Sequence, residues 1–263
     1  MNKASFHHVR LNVLDIDQTI AHYQKFYGAN PIKYANRADA LFTERSFVLL
    51  NKVNKLPTSN LGTSLWHIGW SGVDGISEFE WRVREGIKVH TPINPLKEDH
   101  WMYFYGPNQE VVEIFTGNRN HRFEHIHLLA ADVDVTVNWF KENIGVQADY
   151  EVAQPWSNNL FKWNKMHIDN INIMVNGKPE QERDWYPSNG FQKTDDTSIN
   201  HLGFSFRAIE PVFQKMKANG VEVVKEIAVD TQYGFKSFFV RNPDKVLVEI
   251  VEEKPIPNGI WDK

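Results

Sequence analysis

Residues 64–71 read SLWHIGWS and residues 198–205 read SINHLGFS. In each, a histidine is followed two residues later by glycine and four later by serine: His67, Gly69, Ser71 and His201, Gly203, Ser205. Period two puts these three on one face of a strand and the apolar residues between them on the other. The neighbouring sequence repeats too. FHHVRLNV at 6–13 is matched by EHIHLLAADV at 124–133, and GPNQEVVEI at 106–114 by NPDKVLVEI at 242–250. Each half thus carries His, His and Glu in the same order and context: His8, His67, Glu113, then His125, His201, Glu249. Two neutral imidazoles and a carboxylate on one face suit a divalent transition metal with positions left for substrate. A carboxylate in strands as apolar as VVEIF and LVEIV is expensive to bury unless a cation or strong donors meet it.

The spacing orders the rest of the chain. Val9, Leu11 and Val13 alternate with His8, Arg10 and Asn12, which predicts a strand with two unlike faces. Asp15 is then an N-cap for a helix carrying Ile16, Ile20, Tyr23 and Tyr27, stopped at Gly28. Helices marked by Ile76, Phe79, Val83, by Val133, Val137, Phe140 and by Val212, Phe213, Met216 repeat the pattern. The polar stretch 116–122 reads as an inter-domain linker, which predicts domains at 4–117 and 122–253 and a tail at 254–263. Equivalent residues are offset by 117, 134 and 136 positions, so the extra length lies mostly between His125 and His201. The polar segment 176–200, with Trp185, Tyr186 and Pro187, suits either a lid over a site or a surface loop.

Composition narrows the class. The chain has 263 residues, 41% of them hydrophobic, with a net charge of −4 and no Lys/Arg-rich run. A nucleic-acid partner is therefore not expected. It has no cysteine, which removes disulfides, thiolate ligands and a cysteine nucleophile and is compatible with a cytoplasmic location. No apolar run approaches a bilayer span and the N-terminus lacks a signal-peptide core, so no membrane partner is expected. Nine Trp, eight Tyr and seventeen Phe fill cores or line a pocket for a flat ligand.

HVRLNVLDI (8–16), WHIGWSGVDG (66–75) and GPNQEVVEI, with second copies HIHLLAADV, NHLGFSF and NPDKVLVEI, resemble the vicinal-oxygen-chelate superfamily. That superfamily includes glyoxalase I, type I extradiol dioxygenases, fosfomycin-resistance thiol transferases and bleomycin-binding proteins. The resemblance runs from about Phe6 to Glu252. It implies an α+β fold of two tandem domains, each of paired βαβββ units in a curved, mostly antiparallel sheet. It also implies metal ligands at His8, His67, Glu113 and at His125, His201, Glu249, holding Fe2+ first, with Mn2+, Zn2+ or Ni2+ as alternatives. Its members act on small molecules, and a homo-oligomer is compatible with it.

The ligand set and its surroundings point to a branch. Glyoxalase I adds a carboxylate ligand on the strand before the second histidine, yet SFVLLNKV (46–53) and NINIMVNG (170–177) have none. The dioxygenases place a tyrosine ten residues before the ligand glutamate. Tyr103 meets this in the first half, and Phe239 stands there in the second. Their acid–base histidine is replaced by Lys52 and Tyr186. Tyr103, His100 and His127 are the candidate catalytic groups, His127 because it shares a strand face with His125. The expected function is a dioxygenase-like, metal-dependent oxidoreductase acting on a small oxygenated substrate, aromatic among the choices. A glyoxalase-type lyase, isomerase or thiol transferase and a small-molecule binding protein are the alternatives.

Overall fold

The computed structural model describes residues 3–149 and 161–255. They form four βαβββ units. Unit one is β1 (Ser5–Val13), α1 (Ile16–Tyr27), β2 (Asn30–Tyr34), β3 (Ala38–Thr43) and β4 (Ser46–Lys52). Unit two is β5 (Leu65–Ser71), α2 (Gly75–Arg84), β6 (Val89–Leu96), β7 (Asp99–Tyr105) and β8 (Val111–Phe115). Unit three is β9 (Phe123–Leu129), α3 (Val133–Asn143), β10 (Gln147–Ala148), β11 (Trp163–Ile168) and β12 (Ile171–Asn176). Unit four is β13 (Ile199–Phe206), α4 (Glu210–Ala218), β14 (Glu222–Val229), β15 (Lys236–Arg241) and β16 (Leu247–Glu252). Asp15 caps α1 as expected, accepting from the Gln18 N–H, and Gly28 closes it at φ 65°.

The units pair into two unclosed, mostly antiparallel eight-stranded sheets, confirming the expected α+β class. The partners are not those that chain order suggests. Units one and four share one sheet, ordered β14-β15-β16-β13-β1-β4-β3-β2. Units two and three share the other, ordered β10-β11-β12-β9-β5-β8-β7-β6. The division at 4–117 and 122–253 therefore cuts across both sheets. Segment 116–122 links β8 to β9 inside one sheet, while 53–64 and 177–198 carry the chain between sheets. Those two crossings run side by side, bridged at Thr58–Thr197 and Thr63–Gln192.

The alternation read in the sequence decides what each face meets. Val9, Leu11 and Val13 of β1 are fully buried in one apolar core that takes in both sheets. Phe6 of the first sheet stacks on Phe123 of the second, centroids 5.7 Å apart, and Phe123 meets Trp70. The opposite faces of β1, β13 and β16, and of β9, β5 and β8, carry the histidines and glutamates. Among the described residues no helix is long and apolar enough to cross a membrane. Of the tail expected at 254–263, residues 256–263 lie outside the described residues.

Candidate metal centres

Two clusters form, each from one sheet. Centre 1 joins His8, His201 and Glu249; centre 2 joins His67, Glu113 and His125, with His127 beside them. This corrects the expected grouping by halves. His8 belongs with the second half's histidine and glutamate, and His125 with the first half's. The cause is the strand pairing. β1 runs antiparallel to β13 with His8 opposite Gly203, and β9 runs antiparallel to β5 with His125 opposite Gly69. Each histidine ring lies close against that glycine. A Cβ on Gly203 would sit 2.1 Å from the His8 ring, and one on Gly69 would sit 2.0 Å from the His125 ring. The glycine two residues after each strand-borne histidine makes room for the histidine of the other unit.

Centre 1 is a tight triangle. His8 Nε2 lies 3.1 Å from His201 Nε2, His201 Nε2 lies 3.0 Å from Glu249 Oε2, and His8 Nε2 lies 3.3 Å from Glu249 Oε2. An ion about 2.0–2.2 Å from each ligand atom would set such edges at roughly 2.8–3.6 Å, so the residues fit a divalent cation. The outward atoms are also engaged. His201 Nδ1 pairs with Asn200 Oδ1 at 2.5 Å, and Ser237 Oγ donates to Glu249 Oε1 at 2.6 Å. His8 Nδ1 pairs with His7 Nδ1 at 2.7 Å, and His7 Nε2 pairs with the Tyr34 hydroxyl at 2.8 Å. The His8–His7–Tyr34 chain holds the His8 ring in place, and a divalent cation inside the triangle would take both Nε2 lone pairs and the carboxylate oxygen together. Burial lowers His8 to about 4 against the pull of Glu249, and lowers His201 as well. Burial would raise Glu249, but its hydrogen bonds to His201 and His8 hold it well below the carboxylate range.

Centre 2 is built alike but held differently. Glu113 Oε2 lies 2.9 Å from His67 Nε2 and 2.8 Å from His125 Nε2. His125 Nδ1 contacts Glu124 Oε2 at 2.6 Å. Burial alone would lower His125, but Glu113 and Glu124 outweigh it and raise the ring to about 10. A cation here must therefore displace a proton. His67 Nδ1 is buried without a partner, as are both ring nitrogens of His127. Asn176 comes near His127 without completing a hydrogen bond. Burial lowers His67 and holds His127 well below its ordinary value. These orphaned nitrogens beside a buried carboxylate fit a cation or a ligand.

The candidate catalytic groups separate by strand face. Tyr103 pairs in register with Glu113, and its ring lies 5.0 Å from that of His67. Burial, then the nearby Glu113, pushes its phenol well above 10. His127 stands opposite His67 with ring centroids 4.7 Å apart. His100 is a correction. It alternates with Met102 and Phe104, which are buried in the core, so it points away from Tyr103 and packs against Gly75 at the start of α2. Phe239 takes the place of Tyr103 in centre 1, 5.2 Å from His201. Arg10 takes that of His127, tied to Asp230 and Gln232 at 3.1 and 2.8 Å. Trp185 of the 177–198 crossing stacks on Trp66 at 5.4 Å, and Trp66 meets His127 at 5.2 Å. That segment thus reaches the aromatic ring beside centre 2. A separate cavity of about 540 Å³, lined by Gln18, His22, Lys88, Tyr105 and Gln109 among others, includes none of the ligands.

Sequence reasoning missed the residue before each ligand histidine. His7, Glu124 and Asn200 each meet Nδ1 of the histidine that follows, and Trp66 cannot. His7 and Glu124 are also skipped in the strand register, β-bulges that turn two successive side chains toward the site.

Residues 122–250 match the family model of the Glyoxalase/Bleomycin resistance protein/Dioxygenase superfamily. The sequence matches no curated protein. Among solved structures, glyoxalase I from Zea mays has TM-score 0.76 at 12% identity, covering 95% of this chain and 93% of its own. A Bacillus subtilis protein provisionally named a dioxygenase has TM-score 0.67 at 13% identity, covering 97% of this chain and 87% of its own. At these identities the likeness is one of fold.

Proposed function

We propose, on the premise that the chain belongs to the glyoxalase/bleomycin resistance/dioxygenase superfamily, that it is a metal-dependent oxygenase working at centre 2. Its substrate is a small molecule with two adjacent oxygens on an aromatic frame. The observation that carries this is the placing of Tyr103 and His127 beside the His67–Glu113–His125 triad, with rings 5.0 and 4.7 Å from His67. A divalent cation held there, Fe(II) for oxygen chemistry, supplies Lewis-acid polarisation of the substrate oxygens. The chain's residues supply proton handling. Tyr103 stays neutral, so it donates a hydrogen bond or a proton to an anionic substrate oxygen. His127 is neutral with a free nitrogen lone pair, so it accepts the proton that a substrate hydroxyl gives up. Trp66 and Trp185 offer stacked flat walls and exclude water.

The test is oxygen uptake by protein loaded anaerobically with Fe(II), offered a panel of catechols, hydroquinones and 2-oxo acids. Uptake that depends on Glu113 and Tyr103 is expected. One observation favours a second, non-redox reading. His127 brings a fourth donor within 4.8 Å of the other three. Were it a ligand, two positions would remain, enough for chelation by a substrate but not for oxygen as well. Turnover with Mn(II) or Zn(II) and no oxygen uptake on any substrate would move the assignment to a lyase or isomerase.

A further inference from the structure

We propose that the two centres divide their roles: centre 1 retains a structural cation that staples the first unit to the last, and centre 2 is the exchangeable, working centre. This shares with the function proposed above the premise that the chain binds a divalent cation and the choice of centre 2 as the working centre. Three contrasts at register-equivalent positions support it.

The first contrast is in support of the ligands. In centre 1 every ligand has its outward atom held, His8 by His7, His201 by Asn200 and Glu249 by Ser237. In centre 2, Trp66 stands where Asn200 does and Trp101 where Ser237 does. His67 Nδ1 is left without a partner. Held outward atoms fix ring orientation and raise ligand basicity, an effect of about 10–100-fold in affinity. The second contrast is in what faces the open side. Phe239 and the tied Arg10 stand where centre 2 has Tyr103 and the unpartnered His127. Centre 1 therefore has no neutral acid–base group at those places. The third contrast is in closure. Centre 1 ligands are at most 2% exposed, while Glu113 and His125 are 8% and 5% exposed. Structural sites are closed and catalytic sites keep an open position.

The staple has a clear mechanical sense. His8 lies on β1, near the start of the chain, and His201 and Glu249 lie on β13 and β16, near its end. An ion that binds all three exists only when these distant segments are joined, so its binding free energy adds to folding.

The test uses the whole chain, freed of metal and reloaded with Zn(II) alone, then challenged with rising chelator. Bound Zn(II) and thermal unfolding are read together. About one ion per chain should survive mild chelator, with Tm roughly 5–10 °C above that of the metal-free chain when free Zn(II) is about 100-fold above Kd. Ser237→Ala leaves every ligand in place and should release the retained ion at about 10–100-fold lower chelator. His201→Ala should lose both the retained ion and the rise in Tm, and His67→Ala should keep both. A retained ion and Tm rise that survive His201→Ala and vanish with His67→Ala would overturn the division while leaving the proposed function standing. Should His201→Ala fail to fold, Ser237→Ala decides alone, and an unchanged chelator midpoint refutes the proposal. A wild-type chain that binds no ion sinks both readings.

Discussion

Substituting Gly203→Ala tests the cross-unit pairing of ligands through a single methyl group. The new Cβ would lie 2.1 Å from His8 Cε1 and Nδ1 and 2.8 Å from Nε2. Ordinary contact needs about 3.5 Å, so the His8 ring must move by roughly 1.4 Å. Metal–ligand distances tolerate about 0.2 Å. The ring therefore leaves the centre 1 triangle, or β1 separates from β13. The affinity of centre 1 should fall by at least about 100-fold, close to 2.8 kcal/mol, the upper end of what outer partners contribute. Overpacking should also cost about 1–3 kcal/mol of stability. In a His8→Ala background the three closest contacts of the methyl are removed, so that stability cost should shrink, a coupling that a double-mutant cycle reads directly. The assay is calorimetric titration of the metal-free chain with Mn(II) or Zn(II), alongside denaturant unfolding of the four members of the cycle. Gly69→Ala should do the same to centre 2 through His125. Retention of both sites with Kd within about threefold, together with a stability cost unchanged by His8→Ala, would refute the placement of His8 over Gly203.

Other expectations follow from the same geometry. His8→Ala and His201→Ala should abolish the same ion, and His67→Ala and His125→Ala the other, when metal per chain is counted; loss of one ion by His8→Ala and His67→Ala alike would restore the pairing by halves. Tyr103→Phe should lower kcat by about 10²–10⁴ with little change in KM, whereas His100→Gln, facing α2, should leave the rate as it is; a change confined to KM would make Tyr103 a wall. His22 is lowered by burial, then by Lys25, to about 4. Above pH 6.5 the folded and unfolded forms are both neutral there, and between about 6.5 and 4 only the unfolded chain takes the proton, so stability contributed at His22 is lost as pH falls through that window. His22→Gln should flatten the fall in Tm between pH 6.5 and 4, and an unchanged slope would count against the burial of that ring.

The fold was legible because its strands carry two chemistries at period two. Val9, Leu11, Val13 against His8, Arg10, Asn12 predicted β1, and the same logic found β5, β8, β9, β13 and β16. Edge strands were harder. β14, Glu222–Val229, is mostly exposed or half-buried along its length and has charges at Glu222, Lys225 and Glu226, so no alternation marks it. The partner of each unit was not legible either. Chain order pairs neighbours, but a strand pairing is decided by side-chain fit, and that fit was present in the sequence as Gly69 and Gly203. Read only as a residue sharing a strand face with its own histidine, each glycine said nothing of which ring would lie over it.

The residue before each ligand histidine carries the finer distinction between the centres. Backbone geometry makes position 66 equivalent to position 200, yet one is tryptophan and the other asparagine. Asn200 can accept the Nδ1 proton of His201 and so fix its ring, while Trp66 can only lie against His67, 4.4 Å between centroids, and stack on Trp185. One position therefore exchanges a hydrogen bond that holds a ligand for an aromatic surface that can hold a substrate. Glu124 and His7 make a similar exchange on the facing strands. A carboxylate beside His125 adds a negative charge to centre 2, whereas a neutral imidazole beside His8 adds none to centre 1. A repeated frame of two histidines and a glutamate is thus made into two unlike clusters by residues that touch those side chains from behind.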